Sequence, residues 1–370
     1  MAATLIGFTG IDVRAQTPDE LSLPSLWDTV CTLRSGFGYK DNVFLSHSRQ
    51  QDAAFISGGG DVMVIRLAPV GPQYNFFASA DASHFFSTSP SHNEYTVFAQ
   101  AQVENDFGNS FTGTLAAEYF YQDQAVDASF LDDAAPVPAL VMRSETVRGH
   151  TATLRPSVRW NLPGQFWLTL ETPVTCQIFD EPLDDYWMAG AKLTLGRTYG
   201  HASRLSVSYE PTWRFYQHDE ELTAIGTPIP GTERERFQQD AVFTWRHHWD
   251  AAKCWRTTLK LGGRITDENG AGYSNFTQGS AAAQVLYRRG GWEIFAEGRV
   301  RQYDYRTQTV SLADQSKLRR TEWLAAFGIE RQLTKRLKFI ANYEHEKISS
   351  NDDLESYSVN TVSGTLQFEF

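Results

Sequence analysis

Nine histidines are the first residues to test for chemistry, and they are scattered: His47, His84, His92, His150, His201, His218, His247, His248 and His345. A nucleophile needs a base within hydrogen-bond reach and a third group to orient that base. Only His247-His248 stand together, and no serine lies at a suggestive spacing from them. The pair could bind a metal or sit at an interface, but two histidines alone make a weak motif. Asp184-Asp185 and Asp352-Asp353 could hold a divalent cation, although solvated loop acids are the plainer reading. Gly58-Gly59-Gly60 lacks the following Lys and helix of a phosphate loop. Cys31, Cys176 and Cys254 are odd in number and without metal-like spacing. The residues predict no catalytic centre, no metal site and no cofactor.

Composition narrows the remaining classes. The chain has 370 residues, of which 41% are hydrophobic, 13% aromatic and 21% charged. Its mean hydropathy is -0.39, and no uninterrupted apolar run is long enough for a membrane helix. So aromatic a chain is not a disordered one. A formal charge of -11 argues against binding nucleic acid through the net field.

The elements that must position any site show themselves as period-two alternation, the mark of strands with one apolar and one polar face. Leu205, Val207, Tyr209, Pro211, Trp213 and Phe215 alternate with Ser206, Ser208, Glu210, Thr212 and Arg214. The same pattern runs from Ala152 to Trp160, from Trp255 to Ile265, and from Trp292 to Val300, where Phe295 is the one exception. Each run has the length that a tilted strand needs to cross a bilayer. About sixteen such strands fit the chain. The strand near Phe55 is the weakest, because Gly58-Gly59-Gly60 suggests a kink or bulge.

Connections and aromatics support the same architecture. Long polar stretches (Asp41–Asp52, Gln122–Gly149, Gln217–Glu235, Asp267–Asn275, Asp304–Arg320) alternate with short turns such as Gly108-Asn109 and Pro163-Gly164. Aromatics such as Tyr74, Trp160, Trp255 and Trp292 fall near the turns, and Tyr39, Tyr119, Trp213 and Trp323 fall near the long loops. Two aromatic girdles, long outer loops and short periplasmic turns are how outer-membrane barrels are built. The predicted fold is all-β, an antiparallel transmembrane up-and-down β-barrel of about sixteen strands in the bacterial outer membrane. An even count places both termini on the periplasmic side. Residues 1–15 read as the remnant of a truncated signal peptide, 16–27 as a periplasmic lead-in, and 28–370 as the barrel.

The polar face of each strand would then point inward. It carries Arg34, Arg155, Arg159, Lys192, Arg204, Arg214, Arg256, Lys260, Arg264, Arg299 and Arg301. Its acids are Asp81, Glu104, Glu118, Glu171, Glu210, Asp240, Glu293, Glu297, Glu330 and Glu344. Hydrocarbon could not tolerate these groups, so they must line water or pair with one another. The candidate pore-lining residues are Arg155, Arg159, Arg204, Arg214, Arg256, Lys260, Arg264, Arg299, Glu118 and Glu210. Because both signs are interspersed along the chain, a mutually neutralising wall is favoured over a selective ladder of charge. The loops Gln122–Gly149 and Gln217–Glu235 are the chief candidates to fold inward and narrow the lumen.

Two local resemblances refine the reading. Val362, Gly364, Leu366, Phe368 and Phe370 share one face of the last strand. This resembles the closing strand of outer-membrane barrels, which implies that Phe368 and Phe370 form part of the signal read by the barrel assembly machinery. Gly36-Phe37-Gly38-Tyr39-Lys40-Asp41-Asn42-Val43 resembles the opening strand of β-barrel porins associated with exopolysaccharide operons. The resemblance implies a passive, porin-like channel, with polysaccharide or a small solute passing through it. Lipid and lipopolysaccharide would be its surroundings. The alternatives are a plugged structural or surface-binding barrel whose outer loops contact a partner, and a barrel enzyme acting on lipid or peptide.

Overall fold

The structure, a computed structural model, describes residues 26–47, 50–66, 71–88, 92–127, 144–180, 183–311 and 314–370. The expected signal-peptide remnant and nearly all of the lead-in lie outside these residues. The strand segments are β1 (Trp27–Lys40), β2 (Ala53–Arg66), β3 (Gln73–Phe85), β4 (His92–Phe107), β5 (Phe111–Asp127) and β6 (Ser144–Asn161). They continue as β7 (Phe166–Glu171), β8 (Val174–Phe179), β9 (Tyr186–Gly190), β10 (Lys192–Tyr199), β11 (Ser203–Tyr216) and β12 (Glu235–His248). The remainder are β13 (Trp255–Glu268), β14 (Phe276–Arg289), β15 (Trp292–Thr309), β16 (Lys317–Gln332), β17 (Leu337–Ser350) and β18 (Tyr357–Glu369).

These segments form sixteen staves, as the alternation predicts. β7 and β8 are one stave, both paired with β6, and the register is unchanged from Ser157↔Glu171 to Leu154↔Val174. β9 and β10 are likewise one stave against β11. The interruption lies where Pro156, Pro173 and Pro211 come level on neighbouring staves. Each proline lacks the N–H that the ladder would use, so hydrogen bonds drop out while the pairing direction persists. Elsewhere the ladder is antiparallel between consecutive staves. It closes where β1 pairs with β18, from Thr32↔Glu369 to Lys40↔Thr361.

Closure depends on the glycines of the first strand. A Cβ on Gly38 would lie 2.5 Å from the carbonyl oxygen of Val362 on β18 and 2.7 Å from Cε1 of the Phe55 ring. Only hydrogen at this position lets the last strand and the Phe55 ring both come close.

Two sequence expectations are corrected. Gly58-Gly59-Gly60 makes no bulge: the register runs unbroken on both sides, from Ser35↔Gly58 to Leu33↔Gly60 and from Gly58↔Ala82 to Gly60↔Ala80. Ladder bonds from both neighbours hold the glycines extended. Among the described residues, the register shifts instead between Asp304 and Thr309. The loop expected over Gln122–Gly149 is also shorter. β5 and β6 pair out to Asp127↔Ser144, leaving 128–143 outside the described residues.

The exterior is apolar and open. Phe37 is 70% exposed and Leu33 57%, and Val207, Leu261, Leu195 and Val158 are about half exposed on the same outer face. In water such a surface would be an aggregation site. Against lipid it is satisfied, and a closed ladder leaves no unpaired edge in the hydrocarbon.

Candidate functional site

The chain is a closed antiparallel β-barrel of sixteen staves with an apolar exterior, and its candidate functional site is the lumen. Alternation sends most charged residues of the staves inward, with aromatics such as Phe77, Phe98 and Phe120 among them, and the register aligns them. Arg155, Arg159, Arg204, Arg214, Arg256, Lys260, Arg264, Arg299, Glu118 and Glu210 all fall on this inner face. Several of them pair across the wall. Arg155 donates to Glu118 at 3.2 Å, Arg264 to Asp240 at 2.7 Å, and Lys192 lies 3.7 Å from Glu210. Arg214 stacks 4.3 Å from the Tyr186 ring centroid and donates to the Tyr216 hydroxyl. Arg256 donates to the Gln284 side chain at 3.3 Å. Phe295, the exception to alternation, faces the lumen beside Glu297.

Closing the barrel sorts charges that are interspersed along the sequence. From β6 to β13 the inner wall is mainly basic, with Arg155, Arg159, Arg204, Arg246, Arg256 and Lys260 among its residues. From β15 round to β5 it is mainly acidic, with Glu297, Glu322, Glu344, Glu346, Asp61 and Asp81. Each half keeps residues of the other sign, with Glu171, Glu210 and Asp240 in the first and Arg299 and Arg301 in the second. The acidic wall keeps some cations of its own: Arg34 pairs with Asp61 and with Asp81, and Lys338 with Glu330.

The long-loop end is narrowed from inside. Val43 and Phe44, just after β1, are buried with Ala53, Phe55 and Phe85, whose side chains face inward. Phe44 also packs against His92, with ring centroids 5.5 Å apart. Leu45 reaches the other side of the seam, against Ile348, Tyr357 and Val359. Asn42 ties this loop by donating from its side chain to the Ser46 and Ser358 carbonyls. A second loop, 217–234, folds on itself through the bridge Leu222↔Pro228 and packs on 269–275, where Ala271 N–H donates to Leu222. Arg234 anchors it, 3.2 Å from both Glu268 and Asp219 and 2.7 Å from the Ser274 hydroxyl. Of the two loops expected to narrow the lumen, 217–234 packs on the neighbouring loop 269–275, the middle of Gln122–Gly149 lies outside the described residues, and the inward-packed segment 41–47 was unforeseen.

Other features escaped the sequence. A serine does stand beside the histidine pair: Ser203 Oγ lies 3.2 Å from His247 Nδ1, on an adjacent stave and far away in sequence. The geometry is structural. Ser203 is fully buried, its hydroxyl accepts the His248 N–H, and Tyr199 shares the same ring nitrogen. Trp245 stacks on His247, and Trp249 meets it edge-on, making an outer-face aromatic cluster at the turn end. Asp184 accepts the backbone N–H groups of His218 and Asp219, and Asp185 that of Phe179, so both carboxylates cap loops. Asp352 caps Leu354 in the same way. Arg246 was missed because it sits inside Trp245-Arg246-His247-His248, which reads as an aromatic and histidine cluster. Phe368 and Phe370 lie on the outer face at the turn end, where Phe370 N–H donates to Cys31 of β1.

No family model matches the chain, and no curated protein matches it. Solved structures resemble it in outline. A bacterial polysaccharide outer membrane secretin aligns over 92% of this chain and 98% of its own, at 11% identity and TM-score 0.44. OccAB1 of Acinetobacter baumannii aligns over 93% and 96%, at 11% identity and TM-score 0.49. OccK8 (OprE) of Pseudomonas aeruginosa aligns over 93% and 98%, at 10% identity and TM-score 0.49.

Proposed function

We propose that this barrel is a porin-like passive channel, and that a polysaccharide or a comparable hydrophilic solute is what passes through it. The observation that carries the reading is the row of charged side chains along the inner face of a sixteen-stave barrel. A barrel of this size leaves an aqueous channel unless something fills it, and charged inner walls are tolerated only beside water. Passage of a saccharide is supported by the Gly36–Val43 opening motif alone. Lipid and lipopolysaccharide around the belt, and recognition of Phe368 and Phe370 by the barrel assembly machinery, belong to the same reading.

Liposome swelling tests it. Vesicles carrying the refolded chain should swell in arabinose and glucose, and more slowly in oligosaccharides of increasing length. Equal exclusion of the smallest sugar would contradict the channel. A second reading is favoured by the packing of Val43, Phe44 and loop 217–234 at the mouth: a plugged barrel whose outer loops bind a partner. In that case vesicles would not swell until those loops were removed.

A further inference from the structure

The turn-end half of the basic wall holds cations that no carboxylate on the same staves answers. Arg204 and Arg246 stand directly opposite each other in the β11–β12 register. Like charges so placed oppose the pairing of their strands. Neither guanidinium has a hydrogen bond or ion pair among the described residues, and Nε of Arg246 is buried without an acceptor. Arg159 lies on the same inner wall with its guanidinium carbon 4.9 Å from the Trp167 ring centroid. The indole Nε1 of Trp167 is also buried without an acceptor. Gly196 makes room for this ring, because a Cβ there would come within 2.9 Å of its Cη2. The acids of these staves stand nearer the loop end: Glu210 pairs with Lys192, Asp240 with Arg264 and Glu268 with Arg234, and Glu171 lies opposite Lys192 in the register.

We infer that Arg159, Trp167, Arg204 and Arg246 form a binding site for an oxyanion, the carboxylate or phosphate of a sugar-sized solute, at the periplasmic end of the lumen. The planar guanidinium forks match carboxylate and phosphate oxygens in pairs, which a lone ammonium does not. A bound oxyanion would supply the acceptors that Arg246 Nε and the Trp167 indole lack, and would sit between the opposed charges of Arg204 and Arg246. The inference rests on the channel reading only in needing a lumen open to solutes at the turn end.

The test is a fluorescence titration of the full refolded chain in detergent, with glucuronate, glucose 6-phosphate and glucose as probes. A saturable change with glucuronate, glucose 6-phosphate or both is expected, and none with glucose; the two acids separate carboxylate from phosphate. Trp167→Phe should remove the signal. Arg246→Gln, which relieves a like-charge pair and so leaves folding intact, should weaken binding roughly tenfold, the loss of one charge-assisted pair. Arg246→Lys should recover only part of it. Identical curves for glucose and both acids, or unchanged affinity in Arg246→Gln, would overturn the site. A barrel that binds these acids but passes no solute would retain the site and refute the channel. One that passes sugars but ignores both acids would do the reverse.

Discussion

Gly38 on the first strand and Phe55 on the second face each other so closely that a Cβ on the glycine would lie 2.7 Å from Cε1 of the ring. The same Cβ would press on the last strand, so one hydrogen atom serves both closure of the barrel and seating of the ring. Gly38→Ala should therefore destabilise the folded barrel by about 1–3 kcal/mol, the usual cost of overpacking a tight site. Gly364→Ala, on the neighbouring strand, meets the Phe37 ring only at 3.6 Å, an ordinary contact, and should cost much less. Urea titrations of both refolded variants would separate them; equal losses would contradict the seam argument.

Arg234 and Glu268 are nearly inaccessible, with side chains 3% and 1% exposed. Breaking a buried pair costs up to about 3–5 kcal/mol, and less here because Asp219 still faces Arg234 at 3.2 Å. Here the cost falls on the hold of loop 217–234. Glu268→Ala should expose that loop to trypsin while leaving the strand spectrum unchanged. Trypsin resistance equal to that of the parent would show that the loop is held otherwise.

Asp250 lies in the turn after β12, outside the spanning strands. The backbone N–H of Cys254 holds its carboxyl below the usual carboxylate range, with that of Trp255 adding to the effect and desolvation opposing it. A depressed folded value means that the stabilisation is complete above the unfolded value, about pH 4. It is lost as pH falls through the folded value. Asp250→Asn should melt lower than the parent at pH 7, and the two should converge at strongly acidic pH. A gap that persists in acid would assign the effect to shape.

The sixteen-stave barrel was legible because one alternating face, as in Leu205 to Phe215, must meet lipid along its whole length. Turn signals such as Pro163-Gly164 then fixed which connections are short. Gly58-Gly59-Gly60 misled because a glycine run weakens a strand in isolation, whereas here ladders on both sides hold it. The Ser203–His247 contact and the Arg204–Arg246 opposition could not be read, because both join adjacent staves across many residues of sequence. The inward packing of Val43 and Phe44 was hidden for a related reason. A short apolar run after a strand has the same composition whether it covers the inside or the outside of a mouth.

Val43 and Phe44 also make a quantitative point about the lumen. Their burial against Phe55 and Phe85 holds loop 41–47 inside the mouth. Phe44→Ala should cost about 3–5 kcal/mol if the site does not collapse, since a large core side chain is lost. It should also speed the swelling of vesicles in the larger sugars. Faster swelling without lost stability would mean that the loop moves independently of this cluster.

The central claim, an open polar lumen, is tested most directly by single-channel conductance of the refolded protein in a planar bilayer. Steady current steps are predicted, with a reversal potential in a salt gradient that shifts when Arg246 is replaced by Gln. Insertion without any conductance, in the parent and in a variant lacking residues 43–47 alike, would contradict the channel.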